Sequence, residues 1–378
     1  MDSSDLQKIR HHLHSIAELS GSERSTADFI ISTMKQFHPT TIITKLAGQG
    51  VVVVFDSAKP GPSVVFRAEL DGLPLQENTG KVYSSKKPNI SHLCGHDGHM
   101  TILIGLADFI SRNLTKMKGK AMLLFQPAEE TAQGAKDIIK DTRFLGLQPT
   151  HCFALHNLPG YEQATVIVKK DVFTWASIGV KIFLHGKSSH AGHPEEGNSP
   201  LPAMIHLVQL LEQVVLTNKE PKKDLITIIH MCLGDISFGT TPGDGVVMAT
   251  LRACSDEHLE TVKSSVESVV SEITKQYQIK ITFEWVEYFP SITNNDACVD
   301  IVLKAARKKN LSVINLQHPF RWTEDFSFYC RVIPSCYCGI GSGKGHPPLH
   351  AATYDFADEI IGKGITLFSG VIEHLLYE

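Results

Sequence analysis

The hydrophobic pattern of this 378-residue chain changes at about residue 172 and changes back at about residue 287. Before the first change, residues 3–18 and 25–37 carry apolar side chains at three- and four-residue spacing, which predicts helices. Short apolar runs at 50–55 and 63–67 predict strands. Residues 98–113 read as a helix, 119–126 as a strand, 133–141 as a helix and 152–156 as a buried strand. Strands that are apolar throughout, separated by helices, imply an α/β sheet covered on both faces. After the second change the same grammar returns as helix 296–308, strand 337–341 and helix 356–376. The length also favours two domains. The expectation is a discontinuous α/β domain over 1–171 and 287–378, interrupted by an inserted domain over 172–286.

Inside the insertion, Ile178, Val180, Ile182 and Leu184 alternate as on a half-buried strand. "SPLPAMIHLVQLLEQVVL" offers Ser199 as an N-cap and Pro200 as the first helical residue. Strand-like runs follow at 225–231 and 246–252. Helix 257–277 repeats Leu259, Val262, Val266, Val269, Ile273 and Tyr277, and a last strand places Ile279, Ile281, Phe283 and Trp285 on one face. The order βαββαβ is that of a ferredoxin-like split unit, whose antiparallel sheet keeps one face free. That face or its edge is a surface through which two copies of the chain could pair as a homodimer.

Charge narrows the function. The formal net charge is -4 and the pI about 6.5, so no basic surplus argues for nucleic acid. The N-terminal residues lack the basic and apolar regions of a signal peptide, and the run "VVVV" at 51–54 is too short to span a bilayer. A cytoplasmic protein without a membrane partner is expected, and its eight cysteines should be reduced. Cys152, Cys232 and Cys254 lie in or beside apolar runs and read as core residues, and the Cys336-x-Cys338 pair as packing on one strand face.

Cys94 differs, because "SHLCGHDGH" at 91–99 surrounds it with three histidines and an aspartate. On the predicted map Asp71 follows a strand, Cys94 and His96 precede a helix, Glu129 and Glu130 follow a strand, His156 ends one, and His350 lies in a Gly/Pro-rich loop after another. All fall at or beyond the C-terminal ends of strands, the rim where α/β sheets form sites. Thiolate, imidazole and carboxylate are the donors of zinc and its neighbouring divalent metals. Adjacent carboxylates such as Glu129 and Glu130 repel unless a cation neutralises them. One can then bind metal while the other acts as a general base. Competing readings are a Gly-rich turn with incidental histidines, a cysteine nucleophile, and a solvated Glu pair. Asp97 and His99 read as loop supports, His151 and His185 as surface residues, and "GSGKG" at 341–345 as a flexible loop without phosphate-loop spacing.

Seven stretches in order, "FRAELDGLPLQE" (66–77), "HLCGHDGH" (92–99), "FQPAEE" (125–130), "ALHNLPG" (154–160), "GKSSHAGHP" (186–194), "TEDFSFY" (323–329) and the His350 region through "FADE" (356–359), resemble the zinc-peptidase-like amidohydrolases. The branch resembled includes hippurate hydrolase, N-acyl-amino-acid amidohydrolases, N-acetyl-diaminopimelate deacetylase and auxin-conjugate hydrolases. The resemblance implies a catalytic domain with a mixed sheet flanked by helices, holding two divalent ions (Zn, Mn, Ni or Co), and an inserted ferredoxin-like lid that often dimerises. It implies Cys94, His96, Glu130, His156 and His350 as metal ligands, Glu129 as general base and Asp71 as the residue that orients a ligand. It implies His190 as oxyanion donor from the lid and Arg252 as partner of the substrate carboxylate. The activity implied is hydrolysis of the amide bond of a small N-acyl amino acid, or a related amide, by a metal-activated water. A dipeptidase or carboxypeptidase using the same site, and a non-catalytic metal-binding protein, are the alternatives. Two departures stand out: Glu69 and Gly72 replace the usual Asp and Ala, and Gly239 stands where the family has an Asn that helps hold substrate.

Overall fold

The computed structural model describes residues 1–216 and 224–377. They form two compact units, one of Met1–Phe173, Ile292–His318 and Glu324–Glu378, the other of Thr174–Ser291 and Pro319–Thr323.

The first unit is built on an eight-stranded mixed sheet. Four neighbouring strands, Lys120–Gln126, Ser63–Glu69, His151–Pro159 and Ser335–Gly343, run parallel in near-level register. Phe66 lies opposite Leu123 on one side and Phe153 on the other, and Phe153 lies opposite Cys336. Their C-terminal ends therefore reach one rim together. Ser63–Glu69 is buried along its whole length, because helices cover both faces of the sheet. Helix His96–Asn113 is buried at every residue from His96 to Ala107, since it packs on the sheet and against helices Ser3–Ser15 and Ile361–Leu376. That burial explains why its sequence is apolar on nearly all sides. Cys336 and Cys338 are both buried in this core.

Several short strands were not predicted. Thr41–Leu46 pairs antiparallel with Gly50–Asp56 as an edge, and Val166–Val168 and Val313–Asn315 close the opposite side of the sheet. They are partly exposed or only three residues long, and neither feature leaves a strong apolar pattern.

The second unit has the order βαββαβ. Its antiparallel sheet runs Leu225–Leu233, Asp244–Ala253, Ala176–His185, Lys280–Phe289, with helices Leu201–Leu216 and Asp256–Tyr277 packed against it. Ile178, Val180, Ile182 and Leu184 are buried as their alternation requires. Three expectations need correction. Helix Leu201–Leu216 begins one residue after Pro200, and Ser199 Oγ accepts from Leu201 N at 3.3 Å. Cys232 is exposed and Cys254 only partly buried. Cys232 lies on an edge strand whose register shifts between Ile228 and His230, so the apolar run there does not face the core throughout. Phe283 is 37% exposed near the middle of the other edge strand.

Candidate metal centre

At the rim of the first unit the chain turns from Ser91 into helix His96–Asn113 through Cys94 and Gly95. Gly95 has φ 98°, and a Cβ there would stand 2.4 Å from Asn157 Oδ1, so only glycine lets the loop lie this close to the next strand end. His96 Nδ1 donates to the carbonyl of Asp71 at 2.8 Å, and His156 Nδ1 donates to the carbonyl of Asn157 at 2.8 Å. With its Nδ1 hydrogen committed to a carbonyl, His96 keeps Nε2 for another partner. Cys94 Sγ lies 3.3 Å from His156 Nε2. His96 Nε2 lies 3.9 Å from Glu129 Oε2 and 3.9 Å from Glu130 Oε1. His350 Nε2 lies 3.9 Å from the same Glu130 oxygen, on a loop tied to the cysteine loop by His350 N donating to Leu93 O at 2.8 Å.

The structure thus brings together Asp71, Cys94, His96, Glu129, Glu130, His156 and His350. Cys94, His96 and His156 present donor atoms within 4.8 Å of one another, as do Cys94, Glu130 and His350, and also His96, Glu129 and Glu130. His96 Nε2 and Glu130 Oε1 are buried and make no hydrogen bond among the described residues. Buried polar atoms without partners are costly, and a divalent cation is the partner this donor set suits.

The electrostatics agree. Burial raises Glu129 well above the usual carboxylate range, and Glu324, Glu130 and Asp325 push it further. Burial likewise lifts Glu130 to about 7 and the Cys94 thiol to about 12. Burial opposes a charge on His96, but the Cys94 sulfur and Asp71 outweigh it and hold the ring well above the imidazole range. His156 and His350 move the other way, chiefly through burial, which keeps them neutral with lone pairs available.

Asp71 Oδ2 accepts from Glu130 N at 3.0 Å and from Ser20 Oγ at 2.7 Å, while Oδ1 stands 3.6 Å from His96 Nδ1. His99 spans Glu69 Oε2 at 2.7 Å and Asn157 Oδ1 at 2.6 Å, and Asp97 accepts from His14 Nδ1 at 2.8 Å. Both side chains brace the loop from behind, although Glu69, His96 and His99 form a further donor set.

Sequence reasoning missed the polar layer beneath Glu129. Buried Arg67 donates Nε to Gln126 Oε1 at 2.9 Å and Nη2 to Glu324 Oε1 at 2.9 Å and Asp325 Oδ1 at 2.6 Å, and Nη1 also bonds Glu69. The available signal was the charged pair Arg67 and Glu69 inside the mostly apolar run "SVVFRAEL".

His190 and Arg252 belong to the second unit. His190 is exposed on the two-residue strand Ser189–His190, opposite Thr240. Its Nδ1 accepts from Gly192 N at 3.0 Å, so the ring hydrogen sits on Nε2. Arg252 is partly buried and donates Nη1 to Arg321 O at 3.0 Å; among the described residues no carboxylate pairs with it. Gly239 O accepts from Ala191 N at 3.0 Å, and a Cβ at Gly239 would meet nothing within 4 Å.

Residues 65–374 match the sequence profile of peptidase family M20/M25/M40. The N-acetyl-L-cysteine deacetylase of Bacillus subtilis is 33% identical over 348 residues, covering 91% of this chain and 82% of that protein. The hippurate hydrolase of Campylobacter jejuni is 28% identical over 369 residues, covering 97% and 95%. Among solved structures, a Bacillus subtilis protein described as a dinuclear metal binding peptidase from the M20 family superposes with a TM-score of 0.83 at 24% identity, covering 99% and 98%.

Proposed function

The chain belongs to peptidase family M20/M25/M40, and on that premise we propose that it is a metal-dependent amidohydrolase cleaving the amide bond of small N-acyl amino acids. The observation that carries this reading is the convergence of Cys94, His96, Glu130, His156 and His350, with His96 Nε2 and Glu130 Oε1 buried and unpaired among the described residues. Those five residues would hold two divalent ions, since Cys94, His96 and His156 form one donor set and Cys94, Glu130 and His350 another. When bound, the ions supply Lewis-acid polarisation of the substrate carbonyl and lower the pKa of a bound water.

The chain's own residues supply the rest. Glu129, buried and within the donor set of His96 and Glu130, takes the proton of the attacking water and returns it to the leaving nitrogen. The products are a carboxylic acid and an amine, here a free amino acid. Asp71 keeps the His96 ring in place through its carbonyl and the Glu130 backbone through its carboxylate. His190 is the proposed oxyanion donor, and its Nε2–H tautomer supports that role. Arg252 is the proposed partner of the substrate carboxylate, and its lack of an internal carboxylate among the described residues supports that role.

The relatives point to N-acylated amino acids: one is named for N-acetyl-L-cysteine and another for hippurate. The test is a panel of N-acyl amino acids, matched dipeptides and matched N-acyl amino-acid amides, assayed with Zn, Mn, Co and Ni and with metal content measured in parallel. Hydrolysis of the N-acyl amino acids in preference to the dipeptides is expected. Preference for dipeptides would make the protein a peptidase. Metal binding without turnover of any member would leave it a non-catalytic metal-binding protein.

A further inference from the structure

Between helices Ser3–Ser15 and Arg24–Lys35 the chain makes a turn, "SGSE", that lies outside the residues matching the family profile. Glu23 is the N-cap residue of the second helix, yet its side chain makes no cap bond. A capping carboxylate ordinarily accepts from its own helix's first amides. Glu23 Oε1 instead accepts from Gly21 N at 2.8 Å and from Ala128 N, 105 residues away, at 2.8 Å.

Ala128 immediately precedes Glu129 and adopts φ 52°, the left-handed region that alanine avoids. Its carbonyl accepts from Gly134 N at 3.0 Å, and Glu129 O accepts from Ala132 N at 2.8 Å, so the turn after the strand is closed on itself. On the other side, the Asp71 oxygen that holds Glu130 N also accepts from Ser20 Oγ. Gly72 N donates to Glu18 O at 2.7 Å and keeps the two loops together. The adjacent carboxylates Glu129 and Glu130 are thus held from both sides by one short turn.

The arrangement is poor as a stabilising device. Glu23 and Asp71 are both fully buried, and among the described residues Glu23 Oε2 and Asp71 Oδ1 make no hydrogen bond. Burying acidic oxygens without donors opposes folding, and such local violations mark functional places. We propose that residues 20–23 are a positioning element for the hydrolytic site, in which Ser20 fixes Asp71 and Glu23 fixes the turn that carries Glu129. The inference rests on the amidohydrolase reading, and its test includes a measurement independent of turnover.

That measurement is hydrogen exchange of peptides spanning residues 127–134 in the metal-loaded protein. Glu23→Ala should speed exchange there while leaving the strands of the second unit unchanged. Glu23→Gln, which keeps an acceptor oxygen, should restore most of the protection. In the activity assay Glu23→Ala should lower kcat by about 10- to 100-fold with KM within about threefold and metal content unchanged, as expected for a misplaced base. Combined with Glu129→Gln, Glu23→Ala should add less than about threefold, because a positioning effect disappears with the group it positions. Unchanged exchange at 127–134, or a loss that multiplies in full with Glu129→Gln, overturns the proposal. Absence of turnover in the unmodified protein overturns the amidohydrolase reading alone, and the exchange experiment still decides whether Glu23 pins the turn.

Discussion

At the scale of single residues, the two neighbouring carboxylates have different surroundings. Glu129 faces the buried acids Glu324 and Asp325, whereas Glu130 has its backbone held by Asp71 and an oxygen within reach of both His96 and His350. Glu129→Gln should therefore keep its metal and lose about 100-fold or more in kcat, the size of a general-base contribution. Metal analysis beside steady-state kinetics checks both halves, and near-normal turnover would remove Glu129 from the chemistry. Gly239 offers a second prediction, since open space lies where a side chain would project. Gly239→Asn should fold normally and lower KM for an N-acyl amino acid more than for its matched amide. Arg252→Ala should raise KM selectively for the free acid by about 10- to 100-fold, the loss of a charge-assisted contact. Equal effects on acid and amide would mean that neither position reads a carboxylate. The candidate donors could be read from the sequence because most lie in or beside short polar turns at strand ends, whereas His156 lies inside the buried strand His151–Pro159. The Arg67 cluster was not. Its partners Glu324 and Asp325 lie 257 and 258 positions away, and only the sheet brings them together.

At the scale of elements, helix His96–Asn113 enters the site with its first turn clamped from behind by helix Ser3–Ser15. His14 lies buried between Asp97 Oδ2 at 2.8 Å and Glu77 Oε2 at 3.2 Å. Burial disfavours its charge, but the two carboxylates outweigh burial and raise it to about 9. The sign follows from linkage: the protonated ring is the paired form, and its folded pKa lies above the ordinary imidazole value of about 6.5. Its contribution is complete below about pH 6.5 and fades as pH rises through 9. The shift corresponds to about 3 kcal/mol, shared among three groups. Thermal unfolding followed from pH 6 to 10 should show the melting temperature falling across this window, and His14→Gln should flatten that fall. An equal fall in both proteins would place the alkaline sensitivity elsewhere. Long helices and fully buried strands were readable because their periods repeat over many residues. The edge strand Leu225–Leu233 shows the limit: its register shift leaves the exposed Cys232 inside an apolar run that reads as core.

At the scale of the whole molecule, the mixed α/β sheet and the βαββαβ unit were both legible, because each leaves its own period along the chain. The proposed metal ligands come from segments around residues 94, 130, 156 and 350, all within the first unit. These segments lie far apart in the sequence and meet only at the rim of the sheet, so the ions would add a further tie between them beyond contacts such as His350 N to Leu93 O. Metal binding to a site absent from the unfolded chain adds stability by mass action, about 2.7 kcal/mol for one site at a hundredfold excess over Kd. The consequence is spatially specific. Without substrate, adding zinc to the chelator-treated protein should slow hydrogen exchange in peptides covering residues 66–72, 92–99, 126–131, 154–158 and 346–352. Peptides from 176–216 and 224–291 should exchange at the same rate with and without metal, because no proposed ligand lies there. Protection spread equally over both units would mean that the second unit contributes to metal binding, and the five-residue ligand set would then be incomplete. Protection at 92–99 without any at 346–352 would instead remove His350 from the set and leave the Cys94–Glu130–His350 group one donor short.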